Sequence, residues 1–116
     1  MTEDLEVVIL FADVVGSTQL YEVLGDESAS SIISSCLDIM ESATIANHGE
    51  VIKTIGDEVM STFVNVDKAI NAAIQMQQQI SLREDIVRVS IRVGCHYGTA
   101  VKDKDDIFGV SVHTAH

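Results

Sequence analysis

The chain contains no proline, no tryptophan and no low-complexity stretch, and it is poor in positive charge. With nothing in it that reads as a linker, a sequence of 116 residues that is 47% apolar predicts one ordered globular domain over 1–116. A chain of this length buries roughly two-thirds of the surface its unfolded form exposes, enough for a real core. Seven Lys and Arg against eighteen Asp and Glu give a net charge of −11 with His neutral. That balance argues against a nucleic-acid polymer as partner, because such a partner needs a basic face to displace its counterions. No apolar run is long enough to span a bilayer and no signal peptide precedes Leu5, so the segment is expected to be cytoplasmic, with no membrane contact. The two cysteines, Cys36 and Cys95, lack metal-ligand spacing and are expected to be buried core thiols.

What is present is a succession of apolar runs and helical periodicities. Residues 7–12 are continuously apolar and predict a central strand buried on both faces. Gly16-Ser17-Thr18 predicts a break and a helix start, with Ser17 or Thr18 as its cap. Leu20, Val23 and Leu24 form a short helix face. After an interruption at Gly25, Ile32, Ile33, Cys36, Leu37, Met40 and Ala43 form a longer one. His48-Gly49 closes that helix, with Gly49 expected in the left-handed conformation. Residues 50–55 and 58–64 predict two strands joined at Gly56-Asp57 by a type II′ turn. Val66, Ala69, Ile70, Ala73, Ile74, Gln77 and Ile80 predict a further amphipathic helix. Alternation over 88–95 predicts a half-buried strand. A bend at 97–99, a continuing strand, a charged loop at 102–106 and a helix beginning at Gly109 are expected to follow. The order βααββαβ predicts an α+β sandwich of ferredoxin-like type, with helices on one face of a mostly antiparallel sheet.

That topology brings Asp13, at the end of the first strand, and Asp57, in the turn after the second, to the same end of the sheet. Carboxylates held a few Å apart repel each other unless cations lie between them. Mg²⁺ prefers hard oxygen ligands, typically one or two carboxylates completed by phosphate and water. The pair therefore predicts a site for two Mg²⁺ or Mn²⁺ ions, with Val14 as a further ligand. Such a site clamps both oxygens of an in-line phosphoryl displacement. The plainer alternative makes Asp13 a helix cap and Asp57 a turn residue. Val14, Gly16, Ser17 and Thr18 add backbone N–H groups at a helix start, where phosphate can be cradled. A chain this acidic repels free nucleotide, so a nucleotide is expected to arrive with its metal. Lys53 on its own reads as a solvated strand lysine, and His48 and His96 as structural or solvated.

Phe11-Ala12-Asp13-Val14-Val15-Gly16-Ser17-Thr18, Ile52-Lys53-Thr54-Ile55-Gly56-Asp57 and Asp106-Ile107-Phe108-Gly109 together resemble the catalytic domain of class III nucleotidyl cyclases, over nearly the whole chain from residue 7 onward. The resemblance implies conversion of ATP to 3′,5′-cyclic AMP and pyrophosphate at two metals held by Asp13 and Asp57. It implies that Lys53 donates to adenine N1 and that Asp106 accepts from the adenine amino group. Guanylyl members of the family typically carry Glu and Cys in those places. It also implies a homodimer, in which one protomer supplies the metal carboxylates and the other supplies Lys53, Asp106 and the segment containing His113.

The chain departs from the family pattern near its C-terminus. Where the family has V-N-x-A-A-R, this chain has Val112-His113-Thr114-Ala115-His116. His113 stands at the position of the ribose-orienting Asn, as a hydrogen-bonding group of different reach. The family's triphosphate-stabilising Arg would fall one residue beyond His116. The chain is thus expected to be a cyclase domain incomplete at its C-terminus, folded, low in turnover and prone to self-association through exposed apolar surface. A rival of another class is a non-catalytic cyclase-like dimerisation or nucleotide-sensing module. A diguanylate cyclase is disfavoured, because Ile55 and Val59 break the G-G-[DE]-E-F pattern.

Overall fold

The structure, a computed structural model, describes residues 2–85, 87–103 and 106–113, and the side chains within 6–85 and 87–99. The elements follow in the order β1 (Thr2–Val14), α1 (Ser17–Leu24), α2 (Asp26–Ala46), β2 (Glu50–Ile55), β3 (Glu58–Phe63), α3 (Val66–Ser81), β4 (Ile91–Asp103) and β5 (Asp106–His113). The sheet order is β2-β3-β1-β4-β5, and each neighbouring pair is antiparallel. The first four strands have the ferredoxin-like arrangement expected, and β5 extends the sheet beyond β4. Because β3 pairs with both β1 and β2, the β2–β3 turn lies beside the C-terminal end of β1.

Alternation along β1 divides its apolar run between the two faces. Val8, Leu10, Ala12 and Val14 join Ile33, Cys36 and Met40 of α2 and Ala69, Ala72 and Met76 of α3 in the main core. Val7, Ile9 and Met60 form a smaller buried cluster on the face away from the helices, flanked by Phe11 and Ile52. Ser61 sits in the main core because its hydroxyl meets that of Thr44 at 3.2 Å, and Thr44 Oγ1 donates to the Met40 carbonyl at 2.8 Å. Arg83 donates to both carboxylate oxygens of Asp85 and to Ser35, tying the chain after α3 to α2. The hydrogen bond to Arg83 holds the Asp85 carboxyl below the usual carboxylate range.

Several local expectations are corrected. α1 is capped by Gly16 in the left-handed conformation, φ 70°, with no side-chain cap, so neither Ser17 nor Thr18 takes that role. At the end of α2 the left-handed residue is His48, φ 62°, and not Gly49. His48 N–H donates to the Ile45 carbonyl and Gly49 N–H to that of Thr44, which is a Schellman closure. On α3 the buried stripe is Ala69, Ala72, Met76 and Ile80, while Ile70 and Ile74 are 47% and 50% exposed. Small alanines let the helix approach the sheet, and apolar content alone does not decide which stripe does so. β4 is unbroken through residues 97–99. The helix expected from Gly109 is replaced by β5, in which Ile107, Val110 and Val112 favour a strand and a register shift beside Val101 leaves Phe108 unpaired. Residues 114–116 of that expected helix, and 104–105 of the expected charged loop, lie outside the described residues. Cys36 is buried as expected, but Cys95 is exposed. It shares the helix-side face of β4 with Ile91.

Gly49 is required by space. A Cβ there would lie closer than 3.0 Å to three ring carbons of Phe63, whose side chain is 2% exposed and cannot withdraw. Gly49→Ala is expected to destabilise the fold by about 1–3 kcal/mol through overpacking. A urea-denaturation midpoint equal to that of the wild type would refute the requirement.

Candidate functional site

Asp13 is the penultimate residue of β1. Register sets Glu58 of β3 on one side of it and Arg92 of β4 on the other. All three lie on the face away from the helices, because their neighbours Ala12, Val59 and Ile91 belong to the helix-side core. Val14 N–H donates to the Asp57 carbonyl at 3.1 Å, and this bond fastens the β2–β3 turn to the end of β1. The turn is possible because Gly56 has φ 57°, the positive value that the first central residue of a type II′ turn needs. Asp13 and Asp57 thus lie at the same end of the sheet, both half-buried and both outside the core clusters.

Among the described residues no three His, Cys, Asp or Glu side chains form a metal cage. The donor types at this sheet end, carboxylate and backbone carbonyl, are the hard oxygens that Mg²⁺ takes when phosphate and water complete its shell. Next in sequence, Val15 N–H is taken by the Ser90 carbonyl at 2.9 Å, and Leu20 N–H makes the first α1 bond, to the Gly16 carbonyl at 3.1 Å. The N–H groups of Ser17, Thr18 and Gln19 have no acceptor within the helix. They stand one short turn from Asp13.

Lys53 is exposed and lies on the same open face, on the rung formed with Met60, Phe11 and Gly94. A register shift at Ile52 lets Ile52 pack on the open-face cluster beside it. β2 and β1 are two strand spacings apart, roughly 10 Å, so Lys53 stands off from Asp13 within one chain. Asp106 begins β5 opposite Asp103, and His113 ends it opposite Tyr97. An extended strand separates these two by roughly 20 Å, and β5 is the edge opposite β2. The described backbone therefore brings Asp13 and Asp57 together but does not bring Lys53, Asp106 and His113 together. The helix expected at Gly109 would have shortened the path between the last two.

Two neighbours of Asp13 were given no site role by the sequence. Glu58 carries no local signal of its own, and Arg92 falls only within the alternation over 88–95. The structure aims Arg92 at Asp13, with Nη2 to Oδ2 at 3.0 Å and Nε to Oδ1 at 3.4 Å. Hydrogen bonding to Asp13, then its charge and that of Glu58, hold the guanidinium more firmly protonated than usual. A shallow depression of about 340 Å³ is bounded by Phe11, Asp13, Glu58, Arg92 and His96. Phe11 and His96 meet edge to face in it, with ring centroids 5.8 Å apart. Among the described residues no helix is long and apolar enough to cross a membrane.

Residues 1–116 match the family model of the adenylate and guanylate cyclase catalytic domain. An adenylate cyclase of Streptomyces coelicolor is 27% identical over 112 residues, which are 97% of this chain and 29% of that protein. An adenylate cyclase of Anabaena cylindrica is 32% identical, over 80% of this chain and 21% of its own length. The chain thus spans under a third of these relatives. Among solved structures, a bacterial light-regulated adenylyl cyclase superposes with a TM-score of 0.81 at 21% identity, covering 94% of this chain and 37% of that one. An adenylate/guanylate cyclase/hydrolase from Silicibacter pomeroyi gives 0.71 at 28% identity, covering 94% and 66%. This chain belongs to the adenylate and guanylate cyclase catalytic domain family.

Proposed function

We propose that the chain is the catalytic domain of an adenylate cyclase, converting ATP to 3′,5′-cyclic AMP and pyrophosphate in a site shared by two copies. The observation that supports this most is the meeting of Asp13 and Asp57 through the Val14 N–H to Asp57 carbonyl bond. Their carboxylates, with the Val14 carbonyl, would hold two Mg²⁺ or Mn²⁺ ions. Bound there, the metals would supply acidification of the ribose 3′ hydroxyl and charge neutralisation on the phosphates. The N–H groups after Gly16, including those of Ser17 and Thr18, receive phosphate oxygens. Positioning and electrostatics then carry most of the rate, with little proton chemistry asked of side chains.

Lys53 donates to adenine N1 from its exposed place on the open face. Asp106 is assigned the adenine amino group, and His113 the ribose, by motif and not by position, since β5 lies at the far edge of the sheet. One protomer gives the carboxylates and its partner gives Lys53, which accords with the separation of Lys53 from Asp13 within a chain. The experiment is turnover of ATP by the full-length protein with Mn²⁺. Cyclic AMP with stoichiometric pyrophosphate is the expected product. A folded protein that binds nucleotide but forms no cyclic product would instead be a nucleotide-sensing module.

A further inference from the structure

We propose that Arg92 is a built-in competitor for the cation at Asp13, so that this residue sets how tightly the site holds a free divalent metal. The proposal rests on the metal reading above and adds to it a residue that acts through Asp13. The Arg92 guanidinium spans both carboxylate oxygens, at 3.0 and 3.4 Å. A metal on Asp13 needs lone pairs of those same oxygens, and a divalent ion beside a guanidinium is repelled by it. The pairing is imposed by the fold, because β1 and β4 set Asp13 and Arg92 directly across from each other.

Two features make the contact a competitor and not a permanent seal. The Arg92 side chain is 75% exposed, so it can leave without opening the core, whereas that of Asp13 is 22% exposed and stays where β1 holds it. An ion pair this open to solvent is weak and screened by salt. Glu58 lies on the other side of Asp13, so the carboxylate sits between a like charge that favours a cation and a cation already in place. A lysine would not reproduce the contact, because its single ammonium cannot span two oxygens as the guanidinium fork does.

The test is Mn²⁺ binding to the full-length protein without nucleotide, by calorimetry or by the electron paramagnetic resonance of free Mn²⁺. Wild type, Arg92→Gln, Arg92→Lys and Asp13→Asn are compared. Arg92→Gln is expected to bind Mn²⁺ about three- to tenfold more tightly, and Arg92→Lys by a smaller factor, because the charge remains while the fork is lost. Asp13→Asn is expected to abolish the site. If Asp13→Asn abolishes binding but neither Arg92 variant tightens it, the competition is refuted while the metal reading stands. If Asp13→Asn leaves binding unchanged, both fall. Should Arg92→Gln fail to fold, Arg92→Lys carries the test.

Discussion

Asp13→Ala or Asp57→Ala in the full-length protein should remove nearly all cyclic AMP synthesis and leave the fold intact. Neither side chain belongs to a core cluster. Asp57 makes its bond to Val14 through its carbonyl, which alanine retains. Asp13 loses only an exposed ion pair with Arg92, so its melting temperature should barely move. The catalytic loss is of another order. Losing a metal should raise the barrier by several kcal/mol, and each 1.36 kcal/mol is tenfold in rate, so turnover should fall by about a hundredfold or more. A variant retaining more than about a tenth of wild-type turnover would show that these carboxylates do not hold the metals.

The second large effect is on base choice. Lys53→Glu with Asp106→Cys should depress kcat/KM for ATP far more than for GTP. Guanine presents to the site the reverse donor and acceptor pattern on that edge, and an unpaired polar group facing the wrong base costs on the order of 1–3 kcal/mol per lost partner. The two positions also deserve separate variants, because the strands that carry them are opposite edges of the sheet. A shift with Lys53→Glu and none with Asp106→Cys assigns the reading to Lys53 alone. An unchanged ATP/GTP ratio in the double variant would show that neither residue reads the base.

The parts of this fold that were legible in the sequence are those encoded locally. The β1 run, the α2 stripe of Ile33, Cys36, Met40 and Ala43, and the Gly56-Asp57 turn each carry their signal within a few residues, and each appears where expected. Their order was enough to place Asp13 beside Asp57. What was not legible depends on distant partners. Arg92 becomes a neighbour of Asp13 only through the β1–β4 register, which no local pattern states. Ile70 and Ile74 look as apolar as Ala72 and Met76, and only the fit against the sheet selects the latter pair. Cys95 alternates correctly with Ile91 yet is exposed, which its local pattern does not state. His48 takes the left-handed position of the closure, and Gly49 is held against Phe63, a contact between segments distant in sequence.

The claim that two copies build one site is tested most directly by mixing two impaired variants of the full-length protein, Asp57→Ala and Lys53→Glu, and measuring cyclic AMP formation from ATP above the sum of the two alone. If one chain supplies the carboxylates and its partner the base-reading lysine, each mixed dimer carries one site with both defects and one site with neither. With random pairing about half the dimers are mixed, so turnover should return to roughly a quarter of the wild-type value. A mixture no more active than its two components, under conditions where subunit exchange is demonstrated, would place Asp57 and Lys53 in the same protomer's site and contradict the shared arrangement.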